Sequence, residues 1–340
     1  MSAPLSKPAP VRVAIGLNAV LAAIENERPK VLCVRGGDGF LGLPYGPFDP
    51  EQHRTFEIGL RDWVEKQAKL SLGYIEQLYT FGDKGREAPA AALAGSGARD
   101  RVVSVGYLAL APEPVAVGAP GAGWRDWYDF FPWEDWRDGE PTALAEAILP
   151  AIDHWTTASP DDALNRQRRE RARLAFGLEG AGWEEERTLD RYELMYEAGL
   201  VAEAARDRGR RLVAAEGTGV DMISDHRRIL ATAMGRLRGK LKYRPIIFEL
   251  MSPAFTLLAL QRAVEAIVGF RLHKQNFRRS VEQSGLVSRT RQTAHETGGR
   301  PAALFRAKRS ALKDRAGKGL AIPRMKLAPS VPGGPTASRR

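Results

Sequence analysis

The chain has 340 residues, of which 44% are hydrophobic and 27% are charged, and its formal net charge is +10. This composition supports a folded core and excludes a wholly disordered chain and a collagen-like one. The length suggests two domains, or one enlarged domain with an appendage.

The terminal segment and the cysteine content narrow the class of protein further. No apolar run reaches the 18 residues that a membrane span needs, and residues 1–10 lack the apolar centre of a signal peptide. Cys33 is the single cysteine, which excludes an internal disulfide and leaves the five histidines without partner cysteines for a zinc site. We therefore expect a soluble, cytoplasmic protein with no membrane partner and no structural metal.

Residues 11–225 alternate predicted strands with a helix. Residues 1–10 are rich in Pro and Ala, which predicts disorder. The strand candidates share apolar or β-branched runs and are residues 11–24, 31–34, 75–81 and 102–110. Apolar residues recur at helical spacing over 56–70. We assign residues 11–225 to a first domain.

Two further segments complete this part of the chain. Seven aromatic residues crowd positions 124–136, a density that indicates packing rather than chemistry. Residues 141–211 show helical patterning and charged runs, which we interpret as a solvated helical insertion or a partner surface.

The remainder of the chain has the element order of a winged helix-turn-helix. The sequence predicts a helix over 225–241, a short strand over 246–248, helices over 256–268 and about 274–284, and strands over 286–292 and 302–307. We assign residues 226–312 to this domain and expect its first helix to connect it to the first domain. Residues 313–340 are rich in Gly, Pro, Lys and Arg, which predicts a basic disordered tail.

The charge of the chain is unevenly divided between these parts. Residues 226–340 hold 25 Lys and Arg but only 5 Asp and Glu, a net charge of +20, whereas residues 1–225 have a net charge of −10. Because the basic residues also occur within patterned sequence, a solubilising tail does not account for them. Nucleic acid is the natural polyanion for a basic folded domain.

Candidate DNA-binding residues lie on the predicted recognition helix and wing. Arg, Asn and Gln pair bidentately with base edges, and the helix begins with the candidates Lys274, Gln275, Asn276, Arg278 and Arg279. Arg300, in the wing turn, is placed for a phosphate or the minor groove. The alternative is a basic helical hairpin that binds another protein.

A glycine motif near residue 40 does not indicate a dinucleotide site. Residues 37–42 match the Gly-x-Gly-x-x-Gly spacing, but that fingerprint requires a helix directly after it. Pro44 and Pro47 follow instead and exclude such a helix. The chain also lacks a phosphate-loop lysine motif and a Gly-x-Ser-x-Gly nucleophile motif, and we assign no catalytic residue.

A different segment resembles the loop–helix–loop of the Nudix fold. It comprises a strand, residues 43–46 and a helix that carries Arg61, Asp62 and Glu65. In active Nudix hydrolases, glutamates on this helix bind divalent ions that activate water against a diphosphate.

The segment departs from the hydrolase pattern at three positions. Lys66 replaces an acidic residue, Ala68 replaces a glycine, and the further glutamate position falls on His53 or Gln52. Because a lysine would repel a metal ion, the departures favour a Nudix domain that binds a nucleotide without hydrolysing it.

Several motifs together resemble the Nudix-related transcriptional regulators of NAD metabolism, particularly the alphaproteobacterial NAD regulators. These motifs are residues 76–83, 101–107, 225–230, 236–238, 276–279 and 299–302. The resemblance implies an α+β protein, a Nudix-like α/β/α sandwich with a helical insertion, followed by a winged helix-turn-helix. It also implies a homodimeric repressor of NAD-biosynthesis genes that needs no cofactor and senses ADP-ribose, NAD or ATP.

By the same resemblance, Arg35, Phe81, Asp83, Arg101 and Tyr107 are candidate ligand residues. Arginines suit a diphosphate, an aromatic ring can stack on adenine, and Asp83 can accept hydrogen bonds from ribose. The alternatives are core packing for Phe81 and Tyr107, and an ion pair for Arg101. Two rival functions remain open. One is an active Nudix-type pyrophosphohydrolase with a basic nucleic-acid-binding extension, and the other is a protein that only mediates interactions.

Overall fold

The computed structural model describes residues 13–36, 39–70, 72–84, 86, 101–210, 217–294, 302–308 and 319–320. The predictions for residues 1–10, for Arg300 in the wing turn and for most of the tail therefore lie outside the described residues. Within these ranges, no helix is long and apolar enough to cross a membrane.

The elements follow one another in the order that the sequence predicts, with additions. The strands are Val13–Glu25 (β1), Arg28–Arg35 (β2), Leu41–Gly42 (β3), Tyr45–Pro47 (β4), Tyr74–Phe81 (β5), Arg101–Leu110 (β6), Ala122–Asp126 (β7), Val287–Ala294 (β8) and Ala302–Ala307 (β9). The α-helices are Phe56–Ala68 (α1), Leu149–Thr157 (α2), Asp162–Phe176 (α3), Thr188–Glu197 (α4), Ala202–Asp207 (α5), His226–Leu241 (α6), Leu257–Val268 (α7) and Lys274–Ser284 (α8).

A mixed sheet organises the first part of the chain. Its strand order is β3-β2-β1-β6-β5, with β4 paired to β1 and β7 paired to β2. β1 and β6 run parallel and the other pairs are antiparallel. Asn26 and Glu27 form the two-residue turn between β1 and β2, and both have positive φ, as the tight turns of twisted hairpins require. The short strands β3, β4 and β7 are not predicted, because none of them shows a run long enough to recognise.

Helix α1 covers one face of this sheet. The helix begins after Thr55, whose side chain accepts a hydrogen bond from the Ile58 N–H. Leu60 and Val64 lie one helical turn apart and pack with Leu17 and Val105 of the sheet. The predicted helix over 56–70 is confirmed, and it ends two residues earlier than expected.

Helix α6 covers the opposite face and completes a three-layer sandwich. Its apolar side chains Ile229, Ala233 and Met234 are buried in the principal core. Gly106 of β6 lies beneath this helix, where a Cβ atom would meet Ile229 Cγ2 at 2.9 Å. The predicted helix over 225–241 is confirmed. Because α6 contacts both the sheet and α7, it packs on both parts of the chain, and the domain division at residue 225 stays a prediction.

The helical insertion is solvated only in part, since the charged side chains of α3 include the exposed Arg166 and Arg169 while one side of α4 is buried. Its described residues form helices, as expected, but α4 packs along α6 and buries Tyr192 and Met195 in the principal core. Two of its charged residues, Glu185 and Arg191, are also fully buried. The interpretation fails for the buried residues because buried ion pairs and solvated charges look alike in a sequence.

Helices α7 and α8 and the β8–β9 hairpin form the second unit. Phe277 and Val281 bury one side of α8, and Phe255 forms a single β-bridge with Phe305 of β9. The strand predicted over 246–248 is wrong, since Ile246–Leu250 is a 3₁₀ helix. Its four apolar side chains are all buried, which the alternating faces of an exposed strand would not allow.

One residue of the predicted disordered tail has a defined place. Leu320 is 2% exposed and its N–H donates to the Leu241 carbonyl oxygen at 3.0 Å. The prediction of disorder is therefore wrong at this residue, because an apolar side chain covers the end of α6.

Candidate nucleic-acid interface and ligand site

The outer face of α8 carries the predicted recognition residues. Phe277 and Val281 anchor the helix by their burial one turn apart, and this orientation leaves the intervening positions exposed. The exposed side chains are those of Lys274, Gln275, Asn276, Arg278 and Arg279. Among the residues that the structure describes, none of them forms a hydrogen bond or an ion pair. This face can therefore contact a partner without breaking an existing interaction.

The charge at the start of α8 also favours an anionic partner. Its first turn contains Lys274 and no acidic residue. A cation at a helix N-terminus opposes the helix dipole at a cost of about 0.3–1 kcal/mol. A bound phosphate offsets that cost, because helix N-termini bind anions.

The wing strands add basic residues that were not selected from the sequence. Arg289 and Arg291 of β8 and Arg306 of β9 are all exposed. Within the described residues, their side chains form no hydrogen bond or ion pair. The pairing of β8 with β9 is irregular between Arg289 and Thr293, so the two-residue spacing does not by itself fix a common face. Their basic character within a predicted strand was a usable signal. Arg300, the predicted wing contact, lies outside the described residues.

The structure separates the five candidate ligand residues into three places. Arg35 lies in a cleft of about 180 Å³, bordered by β2 and β7 and lined by Cys33, Arg35, Leu41, Gly121, Ala122, Gly123 and Arg125. Arg35 donates to the Gly39 carbonyl oxygen at 2.8 Å. Neither Arg35 nor Arg125 has a carboxylate partner within the described ranges, so both guanidinium groups can bind an anion.

The thiol of Cys33, which lines this cleft, is unreactive. Burial raises the pKa of Cys33 to about 12, and the opposing effect of Arg125 is smaller. The thiol therefore stays protonated at neutral pH and does not act as a nucleophile.

Tyr107 lines a different cavity on the α1 side of the sheet. This cavity has a volume of about 400 Å³ and is lined by Thr55, Phe56, Glu57, Ile75, Glu76, Gln77 and Tyr107. The Tyr107 hydroxyl donates to Gln77 Oε1 at 3.4 Å. Burial, with a smaller effect of Glu57, raises its pKa. Because Cys33 packs with the α6-side core and Tyr107 with the α1-side core, Tyr107 and Arg35 lie on opposite faces of the sheet.

The other three candidates meet at the end of β5. Phe81 is 3% exposed, and the Arg228 guanidinium lies 5.2 Å from its ring centroid. Arg228 also pairs with Asp83, and this hydrogen bond lowers the pKa of the Asp83 carboxyl. Arg101 Nη2 donates to the Gly82 carbonyl oxygen at 2.5 Å. Phe81 and Asp83 therefore contact Arg228, Arg101 bonds the backbone between them, and the role of all three in ligand binding stays a prediction.

The Arg228 side chain belongs to a larger charged cluster that the sequence does not reveal. Its Nε atom lies 2.7 Å from Glu193 Oε1 of α4. Arg86 pairs with Glu193 at 2.8 Å and with Asp225 at 3.2 Å. Burial raises the pKa of Asp225 to about 6, against the opposing effect of Arg86 and Arg228. The cluster joins the loop after β5, the insertion and α6.

The Nudix-like loop and helix are held together by packing. Gly46 lies against the Trp63 ring, and a Cβ atom there would approach that ring to 2.1 Å. Trp63 Nε1 donates to the Pro47 carbonyl oxygen at 2.8 Å. Gln67 bonds both the N–H and the carbonyl oxygen of Tyr45.

The residues at the positions that hold metal-binding glutamates in active Nudix hydrolases contact neighbouring side chains and backbone. His53 is buried, its Nδ1 accepts from the Asp49 N–H, and its Nε2 lies 3.7 Å from Asp62 Oδ2. Lys66 Nζ lies 5.0 Å from the centroid of the Trp63 ring. In the part of the chain that the structure describes, no three His, Cys, Asp or Glu side chains group to hold a metal ion.

Comparisons with known proteins bear on both units. Residues 247–307 match the family model described as the NrtR DNA-binding winged helix domain. The ADPR responsive transcriptional repressor NtrR of Acinetobacter baylyi is 41% identical over 87 residues. That alignment covers 26% of this chain and 34% of the relative, so the chain matches only about a third of the relative's length.

Two solved structures resemble nearly the whole chain. NrtR of Shewanella oneidensis in complex with a 27mer DNA covers 90% of this chain and 97% of its own, at 19% identity and a TM-score of 0.53. A MutT/nudix family protein from Enterococcus faecalis covers 89% and 90%, at 16% identity and a TM-score of 0.50. Together with the family match, these structures confirm the expected fold, a Nudix-like sandwich with a helical insertion followed by a winged helix.

Proposed function

We propose that this protein is a transcriptional repressor of NAD-biosynthesis genes, which binds operator DNA through its winged helix and a nucleotide through its Nudix-like domain. The observation that carries the proposal is the outer face of α8, where five basic and amide side chains are exposed and unpaired. This face lies within the match to the NrtR DNA-binding winged helix domain. A repressor acts where the chromosome lies, so we also place the protein in the bacterial cytoplasm.

The operator complex that we propose contains a homodimer. Helix-turn-helix proteins read two half-sites about one helical turn apart, one with each recognition helix. Lys274, Gln275, Asn276, Arg278 and Arg279 would contact bases and nearby phosphates, and Arg300 would contact the backbone from the wing.

ADP-ribose is the effector that we favour. The Acinetobacter relative is described as ADPR responsive, and a diphosphate suits a pair of arginines. Arg35 and Arg125 provide such a pair at the cleft between β2 and β7. The cleft is smaller than the roughly 300 Å³ of a typical ligand pocket, so it would hold the diphosphate and leave the rest of the molecule outside.

We further propose that the Nudix-like domain binds without hydrolysis. Water activation on this fold needs several carboxylates converging on a metal ion. Nδ1 of His53 already accepts a hydrogen bond from the Asp49 N–H, and Lys66 brings a positive charge to a position that is acidic in active Nudix hydrolases. The rival function, an active pyrophosphohydrolase, predicts magnesium-dependent release of AMP from ADP-ribose.

A binding assay with matched variants tests the DNA-binding proposal. The full chain should bind duplexes from upstream of NAD-biosynthesis genes in preference to shuffled duplexes, and the double variant Arg278→Ala/Arg279→Ala should lose this preference. The control is Arg166→Ala/Arg169→Ala on α3, which removes two exposed arginines elsewhere. Operator binding that survives the α8 substitutions, or fails equally with the control, contradicts the assignment.

A further inference from the structure

The last turn of α7, which leads into the recognition helix α8, receives hydrogen bonds from outside the unit formed by α7, α8 and the β8–β9 hairpin. The Tyr128 hydroxyl donates to the Ala266 carbonyl oxygen at 2.8 Å. Arg238 Nε donates to the Ile267 carbonyl oxygen at 2.8 Å. Helix ends leave such carbonyl groups unpaired, and here the segment after β7 and helix α6 supply the donors.

Backbone contacts fix the turn between α7 and α8 to the same segment. The Trp136 N–H donates to the Gly269 carbonyl oxygen at 2.6 Å. Gly269 has a φ of +85°, and a Cβ atom there would lie 2.3 Å from the Glu134 carbonyl oxygen. Only glycine fits so close an approach in this conformation. The turn between α7 and α8, which sets the direction of α8, therefore packs closely against residues 134–136.

Buried ion pairs hold the Arg238 side chain in place. Arg238 Nη1 lies 2.5 Å from Glu134 Oε2, and Arg191 Nε lies 2.6 Å from Glu134 Oε1. All three side chains are fully buried. Arg238 also donates to Thr188 Oγ1 at 3.0 Å. An arginine fixed by so many bonds presents its Nε atom to α7 in one geometry.

We infer, on the basis of the proposed function, that Tyr128 and Arg238 are positioning residues for DNA reading, because they cap α7 and thereby fix the orientation of α8 relative to the sheet. β7 lines the cleft that contains Arg125 and leads directly into Tyr128. A ligand that shifts β7 therefore also moves Tyr128, whose hydroxyl is one of the two donors that cap α7. The cap is thus one contact through which the sheet can act on the orientation of the recognition helix α8.

Tyr128→Phe tests the inference with the smallest change, since it removes the hydroxyl and keeps the buried ring. The control is Tyr196→Phe, which removes a tyrosine hydrogen bond to Asp207 (3.0 Å) inside the insertion. Arg238→Lys keeps the charge but cannot reach all the partners of Arg238. Because that variant can also unfold, Tyr128→Phe is the primary variant.

The first readout does not depend on DNA. Spin labels at Arg169→Cys on α3 and Gln283→Cys on α8 report the distance between the insertion and the recognition helix. The native Cys33 does not compete for the label, because its thiol is buried and protonated. We expect one narrow distance distribution in the parent protein and in Tyr196→Phe, and a broadened distribution in Tyr128→Phe. An unchanged distribution in Tyr128→Phe overturns the inference.

The second readout is operator affinity measured with the full chain. Loss of one capping hydrogen bond should weaken operator binding about fivefold, with ADP-ribose affinity unchanged. A broadened distribution with unaltered operator affinity overturns the positioning role. A parent protein that binds no duplex refutes the proposed function instead, and the distance measurement then decides whether the cap orients α8.

Discussion

His226 lies at the start of α6 with its imidazole enclosed by the segment that follows β3. Its Nδ1 atom accepts a hydrogen bond from the Leu43 N–H at 2.9 Å, and the Tyr45 ring centroid lies 5.0 Å away. Burial, with a smaller effect of Arg206, lowers the pKa of His226 to about 3. The folded protein therefore holds this histidine neutral, whereas an unfolded chain protonates it near its ordinary pKa of 6.5.

This difference in pKa between the folded and unfolded states predicts that acid lowers the stability of the fold through His226. A depressed folded-state pKa contributes stability that is present above pH 6.5 and is lost as the pH falls toward 3. Between pH 7 and pH 5 the loss is about 2 kcal/mol of unfolding free energy. His226→Gln keeps an acceptor for the Leu43 N–H without the titration. Denaturant unfolding at both pH values should show a smaller loss for the variant, and equal losses would contradict the assignment.

The residues that sequence reasoning identifies are those whose chemistry suits the element that carries them. Arg278 and Arg279 are identified because arginine pairs with base edges and the element order predicts a recognition helix there. Glu134, Arg191 and Arg238 are missed, because charged residues are expected at the surface and nothing in their spacing indicates burial. Their positions become meaningful only when the fold brings three distant segments together.

At the level of elements, the wing hairpin adds basic residues to those of α8. The side chains of Arg289 and Arg291 on β8 are exposed. We expect them to contact phosphates, which contribute affinity but little sequence preference.

We therefore predict that removing the arginines of the wing lowers the affinity for DNA equally for all DNA sequences. Arg289→Ala/Arg291→Ala should weaken binding to operator and shuffled duplexes by similar factors. It should also reduce the slope of log affinity against log salt by about 2, since each lost phosphate contact contributes roughly 1. The slope is measured by fluorescence anisotropy over a salt series. A selective loss of operator binding would instead assign base contacts to the wing.

Long helices and strands were predictable, and short elements were not. α1, α7, α8 and β6 carry their own periodic signal, whereas β3, β4 and β7 form only because a long neighbouring strand offers them hydrogen bonds. The 3₁₀ helix Ile246–Leu250 was mistaken for a strand for a related reason. A short apolar run is compatible with either structure until its packing is known.

At the scale of the whole molecule, α6 joins the Nudix-like sheet to the winged helix. Arg228 pairs with Glu193 of the insertion, Lys240 pairs with Glu76 of β5, and Arg238 bonds α7. One helix, α6, therefore contacts the sheet, the insertion and the winged helix through charged side chains. The uneven charge of the chain indicated two functional parts, but it did not indicate that both are built around the same helix.

This arrangement predicts that nucleotide binding and operator binding are coupled. Two states that differ in the contacts of α6 and β7 respond to a ligand only if it binds one state more tightly, typically by 5- to 150-fold, or about 1–3 kcal/mol. Arg35→Ala/Arg125→Ala should remove the response while leaving the affinity of the ligand-free protein for DNA intact. Both substitutions lie in the cleft bordered by β2 and β7 and not on α8, so a loss of basal DNA binding would point to a changed structure and not to a lost DNA contact.

The most direct measurement is a titration of ADP-ribose into the complex of the full chain with operator DNA, with magnesium present and AMP release followed in parallel. We predict a change in operator affinity of about tenfold, no release of AMP, and no response in Arg35→Ala/Arg125→Ala. An operator affinity indifferent to ADP-ribose, or turnover of ADP-ribose to AMP, would contradict this prediction.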